Sequence, residues 1–251
     1  FSECGYILPK PFIEVSSKPM LLQAINDLPS MEKIKLVFRE DTLNNNLISS
    51  KIKKYFKDLN IQNIKSETKG QASTCLLGLE NVDLSKPLII SACDNGLIYD
   101  EAKFLELTTD NSIDIIVWGC RNYPGAARNP KMYGWIEEKN CLIKKIHVKE
   151  VYENPKHDPI VTGTFYFKKA ELFKEIGEDL LKSGKKVNKE FYVDSSINNA
   201  IELGLKIVYF EVDFYLCWGT PNDLKTYNYW KNCFHKWENH PYKKDIDRDY
   251  I

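Results

Sequence analysis

The stretch "PLIISACDNG", from Pro87 to Gly96, indicates the fold class. Its first half is an apolar run of strand length, and its second half becomes polar abruptly at Asp94. A strand that is apolar on both faces is typical of a sheet that helices cover on both sides. The stretch therefore predicts a buried strand that ends in a carboxylate at the edge of a sheet.

Similar apolar runs recur along the chain and alternate with helical patterns. The other strand-length runs cover residues 34–38, 113–119, 159–167 and 206–212. The helical patterns cover residues 19–28, 43–59, 72–79, 99–107, 169–182 and 195–203. This alternation predicts a doubly wound α/β fold with a mostly parallel, mixed sheet.

Two segments depart from the alternation. Residues 133–150 have two strand-like halves around the turn signal at 138–140, which predicts a β-hairpin inserted into the sheet. A helical tail is predicted over about 221–251, starting at Pro221. One face of this helix is apolar or aromatic: Leu224, Tyr227, Trp230 and Phe234. We expect that face to pack on the core or on a second copy in a homodimer. Since no flexible linker interrupts the chain, residues 1–251 are predicted to form one domain.

The composition argues against several classes of protein. Lys and Arg number 35, as do Asp and Glu, so the net charge is zero and predicts no binding to nucleic acid or to an anionic membrane. No apolar stretch approaches the roughly 20 residues of a membrane span. The seven cysteines lack CxxC spacing, which favours reduced core thiols in a cytoplasmic protein.

Candidate binding residues lie where apolar segments become polar. Ligands of open α/β sheets bind beyond the carboxyl ends of strands, so Asp94 is a candidate Mg²⁺ ligand, although a plain Asx turn also explains it. Gly70 and Gln71 lie at a predicted helix start and could bind a nucleobase or only form a polar helix entry. Gly163 lies inside a strand and indicates a bulge or a backbone that a ligand approaches. Lys10 lies between two prolines, which restrict the backbone around it.

A series of motifs resembles the bacterial nucleotidyltransferases that make nucleotide sugars and related activated compounds. In chain order the motifs are PKPFIEV-x-x-KPM, GQA, CDNG, YGWI, VKE, VTGTFYF, FYVDSSIN and WGTPNDL. They span nearly the whole chain. The resemblance implies a GT-A-like, Rossmann-type, three-layer α/β/α domain. It also implies an enzyme that uses Mg²⁺ to join a nucleoside triphosphate to a phosphorylated acceptor, with release of pyrophosphate.

The resemblance also implies roles for individual residues. Lys10 would contact the triphosphate, and Asp94 would bind the metal ion. Gly70 and Gln71 would read the nucleobase. Lys149 would hold the acceptor phosphate. These residues make up the catalytic and nucleotide-binding part of the expected site.

Other residues are expected around the acceptor. Gly134 and Gly163 match glycines that line the acceptor pocket, and Asp194 matches an acidic position expected to contribute structure more than chemistry. Arg121 and Arg128 accompany the stretch "NYPGAARNPKMYGW" at residues 122–135, and we expect them to bind the acceptor. Because this stretch differs from the usual pattern of the sugar enzymes, a non-sugar acceptor such as phosphocholine or a phosphorylated amino acid stays open.

The chain departs from the family pattern at two points. The family's first strand and its G-x-G-x-R loop would lie immediately before Phe1, outside this sequence. Many relatives carry a second metal-binding aspartate two residues before the G-T-P motif, where this chain has Cys217. Asp213, four residues earlier, is the candidate replacement.

The resemblance implies that the protein is a nucleotidyltransferase. We expect it to transfer NMP from CTP, UTP or dTTP to a sugar 1-phosphate or a small phospho-compound, for capsule or surface polysaccharide biosynthesis. Two alternatives stay open. A GT-A glycosyltransferase usually presents a D-x-D motif, whereas "CDNG" has one carboxylate. A non-catalytic nucleotide-binding module would keep the same fold without turnover.

Overall fold

The computed structural model describes residues 1–43, 46–57 and 59–237. The strands are β1 (Glu14–Val15), β2 (Lys18–Pro19), β3 (Lys35–Arg39), β4 (Asn60–Ile64), β5 (Leu88–Ser91), β6 (Asn95–Ile98), β7 (Ile115–Cys120), β8 (Gly134–Lys139), β9 (Leu142–Val148), β10 (Ile160–Phe167), β11 (Ile207–Glu211) and β12 (Phe214–Cys217). The α-helices are α1 (Met20–Asn26), α2 (Glu40–Leu43), α3 (Asn46–Tyr55), α4 (Gln71–Gly78), α5 (Glu101–Thr109), α6 (Pro124–Arg128), α7 (Ala170–Ser183), α8 (Val193–Glu202) and α9 (Pro221–Lys236). Short 3₁₀ turns lie at Ser2–Cys4, Lys10–Phe12 and Pro130–Met132.

A mixed sheet with the strand order β5-β10-β7-β11-β9-β8 forms the centre of the structure. β7 and β11 pair in parallel, whereas β10 pairs antiparallel with both β5 and β7. β5, β7 and β11 therefore run in the same direction, and their carboxyl ends share one edge. The mixed α/β class is confirmed, but parallel pairings are fewer than predicted because β10 separates β5 from β7. The predicted hairpin is confirmed as β8 and β9.

Helices cover both faces of this sheet. Every residue of β7 is buried, as its uniformly apolar sequence predicts. On one face Ile115 and Val117 pack in a cluster with Phe173 of α7. On the other face Trp118 packs against Phe104 of α5, with ring centroids 4.7 Å apart. The arrangement is the expected three-layer α/β/α sandwich.

Three small strand pairs, β1–β2, β3–β4 and β6–β12, lie beside the main sheet. None of these pairings was predicted, although β3 was predicted as a strand. β3 and β4 pair in parallel and share a cluster with Phe12 and Phe56. β4 was not predicted, because its polar sequence directly after the predicted helix at 43–59 lacks a run of apolar residues. β6 and β12 form an antiparallel ribbon in which Cys217 pairs with Asn95. This ribbon matters for the site, because it joins the segment after β5 to the segment after β11.

The C-terminal helix α9 starts at Pro221, as predicted, with Thr220 as its N-cap. Leu224 is buried, but Trp230 and Phe234 are exposed, so only part of the predicted apolar face packs on the core. Residues 238–251 of the predicted helical tail lie outside the described residues. In the described ranges no helix is both long and apolar enough to cross a membrane. All seven cysteines are free thiols. Cys120 is buried and four others are partly buried, but Cys4 and Cys141 are exposed, so these two are not the core thiols expected.

Candidate active site

Asp94 lies beyond the end of β5, where the chain turns into β6. The next residue, Asn95, is buried, and its Nδ2 donates a hydrogen bond to the Thr162 carbonyl at 3.0 Å. The backbone N–H of Trp218 donates to the Asp94 carbonyl at 2.9 Å. These two hydrogen bonds hold the backbone from both sides. They keep a partly exposed carboxylate at the edge where β5, β7 and β11 end.

Lys10 forms an ion pair with this carboxylate through its Nζ. The residue begins a 3₁₀ turn after Pro9, whose φ of −57° is the value that a proline ring imposes. Phe12 anchors the same turn, because it is fully buried and its ring stacks on Phe38 at 5.4 Å. The structure thus brings Lys10 and Asp94 together, and the proline frame and the Phe12 anchor both restrict the lysine backbone.

The turn after β12 lies against the Asp94 carboxylate. A Cβ on Gly219 would lie 3.1 Å from Asp94 Oδ2 and 3.5 Å from Cys217 Sγ, so the glycine leaves room between these two groups. Burial raises the pKa of the Cys217 thiol to about 11, which keeps it protonated at neutral pH. A neutral thiol is a poor ligand for Mg²⁺, which prefers oxygen.

The donor set therefore fits a metal ion that is held by one protein carboxylate, Asp94, and by substrate oxygens. Across the described residues, no three His, Cys, Asp or Glu side chains come together as a metal-binding group. Mg²⁺ is often bound in this way, through one or two carboxylates together with substrate phosphates.

Asp213 does not join this group. It is exposed and precedes β12, and in the ribbon Phe214 pairs with Ile98 while Cys217 pairs with Asn95. Asp213 therefore lies at the opposite end of the ribbon from Asp94, roughly 16 Å away for the five extended steps to Trp218, which hydrogen-bonds to Asp94. The structure does not support the expectation that Asp213 replaces the second metal-binding aspartate, because the antiparallel register carries it away from the site.

Gly163 supports the backbone ahead of Asp94. Its φ is +87°, and the pairing of β10 with β7 shifts register between Val161 and Phe165, so the glycine lies in a β-bulge. Its carbonyl accepts a hydrogen bond from the Ala92 N–H at 3.0 Å. The bulge is one of the two outcomes predicted for this glycine. Its expected contact with the acceptor stays a prediction.

Gly70 and Gln71 lie at the start of α4, as predicted. Gly70 has a φ of +126°, and a Cβ there would lie 2.5 Å from the backbone N of Phe191. The Phe191 carbonyl accepts a hydrogen bond from the N–H of Ala72 at 2.9 Å. The close approach that requires glycine is therefore to the chain itself. Nucleobase reading by Gly70 and Gln71 stays a prediction.

Lys149 follows the last residue of β9, beside the start of β8. Its backbone N–H donates to the Tyr133 carbonyl at 3.1 Å, and its φ of +57° is unusual for a non-glycine residue. Its Nζ donates to the Met132 carbonyl and lies 5.4 Å from the ring centroid of Tyr192. Since an ammonium has three N–H donors, this lysine can still bind an anion.

Asp194 lies in the first turn of α8, within electrostatic range of Lys149. It is 9% exposed. Burial raises the pKa of its carboxyl from an ordinary 3.8 to about 6, and the positive charge of Lys149 opposes that rise. Oδ2 lies so close to Gly134 that a Cβ on this glycine would clash with it. Gly134 therefore lacks a side chain because Asp194 occupies that space.

Arg121 is already engaged by protein groups. Its guanidinium forms ion pairs with Glu138 at 2.8 Å and with Glu211 at 3.5 Å, and it lies 5.5 Å from the ring centroid of Tyr209. The expectation that Arg121 binds the acceptor is not supported, because these contacts join the hairpin to β11. Arg128, at the end of α6, is exposed. Burial raises the pKa of Tyr133 and the positive charge of Arg128 opposes that rise, so Arg128 lies near the site.

Three tyrosines form a group near Cys217 that the sequence did not predict. Tyr123 follows β7, Tyr133 precedes β8 and Tyr215 lies in β12, with the Tyr123 ring centroid 6.0 Å from that of Tyr133 and 5.0 Å from that of Tyr215. Burial raises the pKa of each hydroxyl, so all three are neutral at neutral pH. Because they come from separate elements, their spacing in the sequence carries no signal. They lie between the Asp94 end and the Lys149 end of the candidate site.

Comparison with solved structures identifies the fold. The nucleoside-diphosphate-sugar pyrophosphorylase from Vibrio cholerae RC9 matches with a TM-score of 0.70 at 18% identity, over 90% of this chain and 93% of that chain. The inositol-1-phosphate CTP transferase from T. maritima matches with a TM-score of 0.67 at 16% identity, over 88% of this chain and 85% of that chain. The chain has a nucleotidyltransferase fold. A scan against protein-family models and a search of curated proteins each gave no match.

A third structure with this nucleotidyltransferase fold holds a nucleotide. HddC from Yersinia pseudotuberculosis, in complex with GMP-PN, matches with a TM-score of 0.60 at 17% identity, over 89% of this chain and 90% of that chain. At such identities the similarity establishes the fold, and the expected Rossmann-like architecture is confirmed.

Proposed function

We propose that this protein is a nucleotidyltransferase that transfers NMP from an NTP to a phosphorylated small-molecule acceptor and releases pyrophosphate. The proposed donors are CTP, UTP and dTTP. The proposed acceptors are sugar 1-phosphates or other small phospho-compounds, and the product would serve capsule or surface polysaccharide biosynthesis in the cytoplasm. Solved proteins of the same fold include a nucleoside-diphosphate-sugar pyrophosphorylase and an inositol-1-phosphate CTP transferase.

The observation that carries the proposal is the contact between Lys10 and Asp94 at the carboxyl edge of the sheet. This edge is where ligands bind in open α/β sheets. A lysine restricted by prolines and a partly exposed carboxylate give one cation for phosphate oxygens and one ligand for a metal ion. Both groups are needed when two anionic reactants must meet.

The reaction requires a phosphate dianion to attack the α-phosphorus of an anionic triphosphate. Asp94 would hold Mg²⁺, which supplies positive charge to the triphosphate oxygens. Lys10 would leave the Asp94 carboxylate and pair with the triphosphate when the nucleotide binds. Lys149 would hold the acceptor phosphate with the N–H donors that the Met132 carbonyl does not use. Since a phosphate monoester is already ionised at neutral pH, the attacking oxygen needs no general base.

Charge placement and shape would then account for most of the rate. Holding the two phosphates in line contributes by orientation, and fixed cations stabilise the charge that moves to pyrophosphate. Gly70 and Gln71 are proposed to contact the nucleobase, and Gly134, Gly163 and Arg128 to border the acceptor.

The test is a screen for pyrophosphate release by the purified full-length protein with Mg²⁺. CTP, UTP, ATP, GTP and dTTP are each combined with a panel of sugar 1-phosphates, inositol 1-phosphate, phosphocholine, phosphoethanolamine and phosphoserine. One or more pairs should release pyrophosphate in stoichiometric amount with a nucleoside-diphosphate product.

Two outcomes would overturn the proposal. Transfer of sugar from a nucleotide sugar, without any pyrophosphate release, would identify a glycosyltransferase. Tight nucleotide binding without turnover on any acceptor would identify a binding module. The first of these is disfavoured by Asn95, because its buried amide is engaged with Thr162 and leaves Asp94 as the single carboxylate of this turn.

A further inference from the structure

We propose that Asp194 is a positioning residue, which holds the ammonium of Lys149 at the acceptor phosphate. This proposal rests on the proposed function, since it concerns how the acceptor end of that site is built. It differs from the expectation that an acidic residue here contributes only structure. Three observations support it: the close packing of Asp194 on Gly134, the absence of a described side chain that donates a hydrogen bond to its carboxylate, and the restraint of Lys149.

The packing shows that the chain is built around this carboxylate. Oδ2 of Asp194 fills the space where Gly134 would carry a Cβ. Gly134 begins β8 and pairs with Val148, the residue before Lys149. The carboxylate is therefore fixed against the same strand pair that carries the lysine backbone.

Few hydrogen bonds reach the Asp194 carboxylate. The hydrogen bond that acts on it comes from its own backbone N–H, and no other side chain donates to it in the described part of the chain. A buried charge without partners costs stability, so a purely structural role would favour an amide or an apolar residue. Lys149 is the charged group that acts on Asp194. The positive charge of Lys149 therefore reaches the Asp194 carboxylate, and the strand pair on which Asp194 packs carries the lysine backbone.

Hydrogen bonds restrain Lys149 but do not use all of its N–H donors. Its backbone is fixed through the Tyr133 carbonyl, and its Nζ donates to the Met132 carbonyl. In the described residues Lys149 and Asp194 form no direct ion pair. Attraction across this gap limits where the ammonium can move and leaves its other N–H donors for a phosphate. Tyr192, the N-cap residue of α8, adds a ring near Nζ and a hydroxyl whose pKa burial raises, so that it is neutral.

The sign of the effect on phosphate binding tests this proposal. If Asp194 were only a nearby negative charge, Asp194→Asn would strengthen phosphate binding by removing repulsion. If it positions Lys149, the same variant weakens binding. We expect the acceptor KM to rise about tenfold, with kcat and the KM for the nucleotide within about twofold of the wild type. Glu202→Gln is the matched control, because it removes one exposed acid from the same helix and should change neither KM.

A double-mutant cycle tests whether Asp194 acts through Lys149. In a Lys149→Met background, Asp194→Asn should have no further effect on the acceptor KM. The pH profile adds a second readout: the acceptor KM of the wild type should rise more steeply below pH 6 than that of Asp194→Asn. Equal effects in both backgrounds, or a lower KM in Asp194→Asn, would overturn the proposal.

A third measurement does not depend on turnover. Binding of inorganic phosphate, followed by ³¹P NMR line broadening, should weaken in both Asp194→Asn and Lys149→Met and stay unchanged in Glu202→Gln. If the acceptor screen finds no activity but this pattern holds, the proposed function fails and the positioning role stands. If turnover is found but phosphate binding is unchanged in Asp194→Asn, the positioning role fails alone.

Discussion

The two ends of the candidate site each combine a lysine with an aspartate, but in different ways. Lys10 and Asp94 are in direct contact and partly exposed. Lys149 and Asp194 are separated, and Asp194 is buried with a pKa that burial raises to about 6. A direct, exposed pair can exchange partners at low cost when a metal ion and a nucleotide bind. A separated pair with a buried carboxylate cannot exchange in this way and instead orients one cation.

The largest effect is expected at the exchangeable carboxylate. Asp94→Asn should reduce Mg²⁺-dependent pyrophosphate release roughly 1,000-fold, because the amide carries no charge to hold the metal ion. Asp213→Asn is the control, since this exposed residue lies at the other end of the β6–β12 ribbon. Steady-state rates measured over a range of Mg²⁺ concentrations provide the comparison. An unchanged rate in Asp94→Asn would contradict the assignment of Asp94, and an equally large loss in Asp213→Asn would restore Asp213 as a ligand.

The second effect separates the two lysines. Lys10→Met should lower kcat/KM for the nucleotide roughly 30-fold, and Lys149→Met should lower kcat/KM for the acceptor by a similar factor. The reason is that each cation neutralises a different reactant. Initial rates with one substrate varied at a time distinguish the two parameters. If both variants changed the same parameter, the two ends would not serve different reactants.

These expectations show which parts of the molecule could be derived from the sequence. Apolar runs predicted β5, β7, β10 and β11, because burial on both faces leaves a clear signal in a single strand. Asp94 was identified as a candidate binding residue because an apolar run ends abruptly there. Lys10 was identified because it lies between two prolines.

The remainder depends on pairing between distant segments. The β6–β12 ribbon joins "NGLI" at residues 95–98, which has the sequence of a turn, to a strand more than a hundred residues later. Nothing local in either segment specifies the partner. The clash that explains Gly134 arises only because α8 brings Asp194 against it. Arg121 had the chemistry of a phosphate ligand, but the carboxylates that occupy it come from the hairpin and β11.

The third effect is a gain of stability with a loss of function. The pKa of Asp194 is raised by burial, so the native state binds this proton more tightly than the unfolded state does. Stability is therefore lost as pH rises from about 4 to about 6, and the loss persists above pH 6. Asp194→Asn removes this cost and should raise the free energy of unfolding at pH 7.5 by about 3 kcal/mol, with little gain at pH 4.

Urea denaturation at both pH values measures this gain. Glu202→Gln should show no such difference between the two values. A destabilised Asp194→Asn protein at pH 7.5 would indicate that the Asp194 carboxylate supports the fold. The contrast between this residue and the exchangeable Asp94 would then fail.

The smallest effect distinguishes the two arginines near the site. Arg121→Gln should lower the free energy of unfolding by about 1 kcal/mol and leave both KM values unchanged, because its partners are Glu138 and Glu211. Arg128→Gln should leave stability unchanged and raise the acceptor KM about threefold, since an exposed cation at the pocket edge attracts an anion. Thermal unfolding and acceptor titrations measure both. An altered acceptor KM in Arg121→Gln would show that Arg121 contributes to acceptor binding.

Trp218 has a practical consequence for studies of this protein in solution. Its indole is 1% exposed, its ring centroid lies 5.7 Å from that of Tyr227, and its backbone N–H is bonded directly to Asp94. The fluorescence emission of a tryptophan depends on the immediate surroundings of its indole. Trp218 shares a backbone hydrogen bond with Asp94, the residue that would hold the metal ion. Subtracting the spectrum of a Trp218→Phe protein from that of the wild type isolates its signal from the other four indoles. The chain thus carries its own fluorescent probe of occupancy, and no dye or tag is needed.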